Sequence, residues 1–235
     1  TINGNSVDEL DETLEVRLRD LVGPAQFAND VAVVTIVDDD TVSVSAVDVS
    51  VDEADGTTVL VRATLTGVAD RDVGVTYTIS DVSTTDGVDY SGVTSGVLTW
   101  PALTSGDQTV SLDVLVDAID EIDETLEVSL TLPTGGVTIA DGTAVVTIVD
   151  DDTAELSIVD LTFGEADGTV AAVRVTLSGE SSRAVSVSFA TSAASAAAGS
   201  DYQFASGVLT WAAGDVGVRT ADVQIIDDGV DEADE

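Results

Sequence analysis

A set of words returns along this chain at one fixed interval. VVTIVDDDT stands at 33–41 and again at 145–153, ETLEV at 12–16 and 124–128, SGVLTW at 95–100 and 206–211, EADGT at 53–57 and 165–169. The period is 111–112 residues. Solenoid units run to roughly 20–50 residues, so this interval is that of a small independent domain. With the aspartate triplet taken as the end of a repeat, 41–152 is one complete repeat. Residues 1–40 are then the closing strands of another, and 153–235 the opening strands of a third. A partial sandwich cannot cover its own apolar face. The expectation is therefore either a stretch of a longer tandem polypeptide, or incomplete ends that complete each other between head-to-tail copies.

The repeat reads as strands. VSVSAVDVSV (42–51), TVLVRATLTG (58–67), VGVTYTIS (73–80), SGVLTW (95–100), QTVSLDVLV (108–116), TLEVSLT (125–131) and GTAVVTIVDDD (142–152) alternate or run apolar between turn signals. Val, Thr, Ile and Leu supply the packing, a bias that favours strands. No segment carries a convincing 3.6-residue period. Seven or eight short strands in about 110 residues predict an all-β fold, an immunoglobulin-like antiparallel β-sandwich. Trp100, Trp211, Tyr90 and Tyr202 fall at matching strand ends and are expected to be packing residues.

Charge narrows the function. Asp and Glu number 45 against 7 basic residues, all Arg, for a formal net charge of −38. Nucleic acid needs a basic footprint, which is missing here. An anionic membrane surface repels such a chain, and no apolar run reaches the 18–20 or so residues of a spanning helix. Histidine and cysteine are both absent. That removes disulfides, thiolate metal sites and the commonest general base. An apolar share of 44% excludes a disordered acidic tail.

The acids recur in place. One cluster is the triplet Asp38–Asp40, returning as Asp150–Asp152. A second is the loop before ETLEV: Asp117, Asp120, Glu121, Asp123 and Glu124, matched by Asp227, Asp228, Asp231, Glu232, Asp234 and Glu235. A third comprises Glu53 and Asp89, matched by Glu165 and Asp201. A solvated acidic surface suited to high salt is one reading of such acids. The other is a pole of the sandwich neutralised by hard cations, since like charges brought together repel. Oxygen-only donors in a crowded, irregular set suit Ca²⁺ better than Zn²⁺ or Mg²⁺. Neither an EF-hand loop nor a GGxGxD run is present.

EADGT, GSDYQFASGVLTW (199–211), IIDDGVDEADE (225–235), ETLEV and VTIVDDDT together resemble tandem Calx-beta domains, the Ca²⁺-binding sandwich modules of sodium–calcium exchangers and of large surface proteins. The resemblance covers essentially the whole chain. It implies calcium ligands at Glu53, Asp89, Asp117, Glu121, Glu124, Asp150, Asp151 and Asp152 in the complete repeat. In the third repeat it implies Glu165, Asp201, Asp227, Asp228, Glu232 and Glu235, and in the first Glu9, Glu12, Asp38, Asp39 and Asp40. The chain departs from the pattern in two repeats. Val116–Asp117 stands where the third repeat has Asp227–Asp228, and Gly4–Asn5 stands there in the first. The implied function is a calcium-stabilised structural array of a large extracellular or cell-surface protein: an adhesin, surface-layer or filament component. Its partners are calcium ions and neighbouring repeats, of the same polypeptide or of head-to-tail copies. An ion at each aspartate triplet locks the joint, because Thr41 or Thr153 opens the next repeat at once. The alternative is a regulatory calcium sensor of a membrane transporter. Catalysis is not expected from a chain so poor in aromatics and without His or Cys.

Overall fold

The computed structural model describes residues 3–53, 56–85, 87–164 and 169–227. Strands and turns account for its regular structure, and no α-helix is found among the described residues. None of them therefore forms a helix long and apolar enough to cross a membrane. The chain divides into two compact units. The first comprises 1–51, 55–115 and 124–148, the second 52–54, 116–123 and 149–235.

In the first unit two five-stranded sheets face each other. One runs in the order Val49–Asp52, Thr143–Val149, Glu124–Thr134, Val73–Asp81, Ser95–Trp100. The other runs Thr138–Asp141, Ser43–Ala46, Thr58–Thr66, Gly106–Val114, Tyr90–Gly92. Thr138–Asp141 lies parallel to Ser43–Ala46. Glu124–Thr134 pairs antiparallel with both Thr143–Val149 and Val73–Asp81, and Thr58–Thr66 with both Ser43–Ala46 and Gly106–Val114. Alternation decides what is inside. Val59, Val61, Ala63 and Leu65 are buried while Leu60 and Arg62 face out. Val110, Leu112, Val114, Leu126, Val128 and Val146 fill the space between the sheets.

Three strands go beyond the sequence reading. The opening strand, expected as continuous over 42–51, breaks into Ser43–Ala46 and Val49–Asp52, which belong to different sheets. The break is an alternation slip. Val42, Val44 and Ala46 are buried, then Val47 turns out and Val49 and Val51 resume the inward phase. The Val47 amide still donates to the Arg62 carbonyl (3.1 Å), and Asp48 Oδ1 accepts from the Val145 amide (2.8 Å), so both sheets hold the crossover. Tyr90–Gly92 and Thr138–Asp141 are short additional edge strands.

Glu12–Arg17 and Val31–Ile36 form a hairpin in the same register, Thr13 opposite Thr35, as Thr125 opposite Thr147 in the complete repeat. The same words meet different fates. Leu126, Val128 and Val146 are at most 1% exposed, whereas Leu14, Val16 and Val34 are 41–49% exposed.

The second unit holds a three-stranded sheet of Glu155–Ile158, Val170–Ser178 and Gly217–Gln224 and a hairpin of Val185–Ala190 with Ser206–Trp211. Its core is small: Val175, Leu177 and Trp211, flanked by Ala154, Val185, Val187 and Leu209. Leu156, Ile158, Val159, Leu161 and Phe163 stay exposed. Its described residues carry no counterpart of the Glu124–Thr134 and Thr143–Val149 strands.

Both large aromatics are packed. Trp100 and Trp211 are buried, and each indole N–H donates to a carbonyl six residues on, Gly106 (2.8 Å) and Gly217 (2.9 Å). Gly67 and Gly179 occupy equivalent turns at φ of 89° and 80°. A Cβ there would lie 2.7 Å from the Thr41 carbonyl oxygen and 2.4 Å from that of Thr153. Only glycine lets this turn close on the residue that follows each aspartate triplet.

Candidate metal centre

Extended backbone sorts each aspartate triplet into two faces. Asp150 and Asp152 are half-buried while Asp151 is exposed, and Asp38 and Asp40 are half-buried while Asp39 is exposed. Side chains on an extended segment alternate, so the first and third acids point one way and the middle one the other.

Asp150 and Asp152 meet Glu53. Carboxylate oxygens of the three lie within 4.8 Å of one another, and all three residues belong to the second unit. Glu53 is 7% exposed. The amide of Asp117 donates to its Oε1 (2.9 Å). Burial is the main force raising the Glu53 pKa. The Asp117 amide opposes it, and the charges of Asp117, Asp150 and Asp152 add to the rise. Asp152 is raised too, by desolvation first and then by Asp151, Asp150, Asp117 and Asp120. Asp150 Oδ1 is buried and has no hydrogen-bond partner. An orphaned anionic oxygen beside two further carboxylates is costly with no countercharge. A hard divalent cation supplies that charge and accepts oxygen donors in irregular geometry. The residues present therefore fit Ca²⁺.

Asp117 contributes its amide to this cluster, while its Oδ1 accepts locally from the Ile119 amide (2.8 Å). Asp89 and Glu124 come together in the first unit, with carboxylate oxygens within 4.8 Å. Asp89 is held by its loop: Oδ2 accepts from the Thr85 amide (2.5 Å), and its carbonyl accepts from the Leu115 amide (2.9 Å). Glu121 is half-buried on the segment 116–123 of the second unit.

Asp201 repeats the geometry of Asp89. Its Oδ2 accepts from the Ala197 amide (2.5 Å), and its carbonyl from the Ile226 amide (2.9 Å). Asp227 is exposed at the end of the described chain. Glu165, Asp228, Glu232 and Glu235 lie outside the described residues.

In the first repeat, Glu9, Glu12, Asp38, Asp39 and Asp40 line one pocket of about 90 Å³ together with Asn5. Asp40 is raised by desolvation, then by Asp39, Asp38, Asp8 and Glu9. Asn5 takes the place of Asp117 in form as well as position. Its Oδ1 accepts from the Val7 amide (2.7 Å), as Asp117 Oδ1 does from the Ile119 amide.

Two residues outside the predicted set support the triplets. Asp123 Oδ1 accepts from the Asp150 amide (3.3 Å), and Asp11 Oδ1 from the Asp38 amide (3.1 Å). They are equivalent positions, and the recurrence of Asp–Glu–x–Asp–Glu at 8–12 and 120–124 is the signal that could have found them.

A β-sandwich chain whose Glu53, Asp150 and Asp152 carboxylates converge in a group that fits Ca²⁺ has the features of a calcium-binding β-module. The family model described as "Calx-beta domain" matches residues 36–152 and 153–235, and the chain belongs to that family. Calx-beta domains bind Ca²⁺, the ion that the carboxylate groups here fit. Among solved structures, the apo-form Calx CBD1 domain is similar at 26% identity, covering 48% of this chain and 100% of that one, with a TM-score of 0.43. CBD12 from CALX1.2 is similar at 23% identity over 80% of this chain and 76% of that one, also at 0.43. The calcium binding domain CBD12 of CALX1.1 is similar at 24% identity over 79% and 76%, again at 0.43. No curated protein sequence matches.

Proposed function

We propose that the chain is a calcium-stabilised structural array, part of a large extracellular or cell-surface protein such as an adhesin, surface-layer or filament component. The observation that carries this reading is the buried Glu53 beside Asp150 and Asp152, with one Asp150 oxygen left unpartnered. The repeats are 1–40, 41–152 and 153–235, with Asp150–Asp152 leading directly into Thr153. Glu53, Asp150 and Asp152 hold the ion, with Asp117 keeping Glu53 in place through its amide. The ligand set extends to Asp89, Glu121 and Glu124 in this repeat and to Glu9, Glu12, Asp38, Asp39 and Asp40 in the first. Asp117 and Asp151 belong to the same proposed set, Asp151 on the exposed side of its triplet as Asp39 is of the first. In the third repeat the same positions are Glu165, Asp201, Asp227, Asp228, Glu232 and Glu235.

No catalytic step is assigned to these acids; they neutralise and are neutralised. Binding to the folded chain alone adds stability by mass action, about 2.7 kcal/mol at a hundredfold excess over Kd. Without the ion the same charges repel and loosen the connection between repeats. The test is thermal unfolding of the whole chain in calcium, in magnesium and in chelator. A midpoint raised by calcium well beyond magnesium supports the reading. Equal midpoints in all three leave an acidic surface adapted to high salt. Hydrogen exchange distinguishes the array from the transporter-sensor reading. An array shows slower exchange around the triplets and little change elsewhere, whereas a sensor passes the signal to remote segments.

A further inference from the structure

We propose that the loop before each ETLEV strand has a second task carried by the aspartate next to the predicted calcium-binding glutamate. Asp8, and equivalently Asp120, is a metal-independent latch that docks the acidic loop of one repeat onto a fixed segment of the repeat that follows. The proposal does not rest on the calcium reading.

The docking occurs twice, once in each unit. In the first unit Asp8 forms a parallel bridge with Ala69. The Asp8 amide donates to the Val68 carbonyl (2.8 Å), and the Asp70 amide donates to the Asp8 carbonyl (3.1 Å). In the second unit Ile119–Asp120 pairs parallel with Glu180–Ser181, and the Ser182 amide donates to the Asp120 carbonyl (3.0 Å). Asp8 and Asp120, Ala69 and Ser181, Arg71 and Arg183 are each 112 residues apart. The same backbone docking therefore recurs one period along.

The side chain is satisfied differently at the two joints. Asp8 is only 9% exposed, so its charge needs a partner. Arg71 provides it: Nη2 donates to Asp8 Oδ2 (2.6 Å) and Nη1 to the Asp8 carbonyl (3.1 Å). Nη1 also reaches Asp70 Oδ1 (2.9 Å), and Nε donates to the Gly135 carbonyl (2.9 Å). Gly136, at φ 80°, leaves the space that the guanidinium fills; a Cβ there would stand 2.5 Å from Nη2. At the next joint Ser181 replaces Ala69, and its hydroxyl donates to Asp120 Oδ2 (2.8 Å). Side chains of the ion pairs Arg17–Glu15, Arg62–Asp107 and Arg219–Asp215 are 39–59% exposed, against 25% and 12% for Arg71 and Asp8. Exposed pairs contribute little, whereas a sheltered one loses much when one partner is removed. Glu9, the next residue, lines the acidic pocket instead. Adjacent residues thus serve opposite faces of one loop.

The test is amide hydrogen exchange on the full chain, in calcium and in chelator, read at the Asp8 and Asp70 amides. Amides of the Thr58–Thr66 and Gly106–Val114 strands serve as the core reference. The latch predicts protection of Asp8 and Asp70 in both conditions. Arg71→Ala and Asp8→Ala should each speed exchange at these two amides about tenfold, the equivalent of about 1.4 kcal/mol, with the core reference unchanged. Loss of protection in the parent chain on chelation alone overturns the proposal, as does unaltered exchange in Arg71→Ala. If Arg71→Ala unfolds the chain, the core amides report it and Asp8→Asn carries the test. That variant keeps the backbone bridge but loses the charge, so faster exchange at Asp8 and Asp70 supports the latch and unaltered exchange refutes it. Absence of calcium binding in a titration would remove the calcium reading and leave these outcomes as they stand.

Discussion

Glu53 shows how a single buried acid couples stability to its surroundings. With one amide donor and three negative neighbours, its carboxylate is held in place and opposed at once. Glu53→Gln should weaken calcium binding at least tenfold and raise the melting point of the chelated chain, because it removes repulsion; titration calorimetry and thermal unfolding in chelator check the two halves. The pH response has a definite sign. Glu53, Asp40 and Asp152 all have pKa values raised in the folded chain. A carboxyl raised on folding contributes stability that is complete below its unfolded pKa and is lost as pH rises through the folded value. The chelated chain should therefore melt lower on going from mildly acidic to neutral pH. Calcium, which binds the deprotonated groups, should oppose that fall. Midpoints in chelator that climb over the same interval would contradict it. The two tyrosines give a further contrast. Tyr90 donates to Asp81 Oδ1 (2.8 Å), while the buried hydroxyl of Tyr202 has no partner, Ala193 standing where Asp81 stands in the preceding repeat. Tyr90→Phe should cost about 1 kcal/mol, and Tyr202→Phe should be neutral or stabilising. Denaturant midpoints of the two variants decide it.

Gly67 and Gly179 set the tightest constraint among the strands and turns. Each holds a left-handed turn against the carbonyl of Thr41 or Thr153. Gly67→Ala should destabilise the first unit by roughly 1–3 kcal/mol, measured by denaturant unfolding. Alternation made most strands legible in advance: Val59–Leu65 and Leu126–Val128 face where their pattern says. The crossover at Val47–Asp48 was not read: 42–51 reads as one strand, although the inward positions shift there from Val42, Val44 and Ala46 to Val49 and Val51. Tyr90–Gly92 and Thr138–Asp141 were not legible, because strands this short are made by the neighbours they pair with. Recurrence marked Glu53 and the Asp150–Asp152 triplet as candidate acids, and the family resemblance proposed them as one ligand set; the structure brings Glu53, Asp150 and Asp152 together. The division of labour between Asp8 and Glu9 was not readable. In sequence a docking acid and a ligand acid are the same letters, and only burial and partners separate them.

Across the whole molecule, equal words have unequal surroundings. Leu14 and Val16 are exposed where Leu126 and Val128 are enclosed. Glu124→Gln should lower calcium affinity while leaving unfolding in chelator within about 0.5 kcal/mol of the parent, since Leu126 and Val128 behind it are untouched. Calorimetric titration beside a chelated melt tests both statements. The hairpin at Glu12–Ile36, by contrast, should lose its hydrogen-exchange protection at lower denaturant than the sheets of the first unit, because few apolar contacts back it.

The staggered joint bears on how such a chain lengthens. Asp8 seats on residues 68–71 and Asp120 on 180–183, both separated by the same stretch of sequence. A gene that gains or loses one full period by unequal recombination therefore always brings an acidic loop before a receiving segment, wherever the crossover falls. Joining Asp40 directly to Thr153 should leave Asp8 facing Ser181 in place of Ala69, with a hydroxyl now opposite its carboxylate. The number of repeats can then change while each such joint keeps its docking segment.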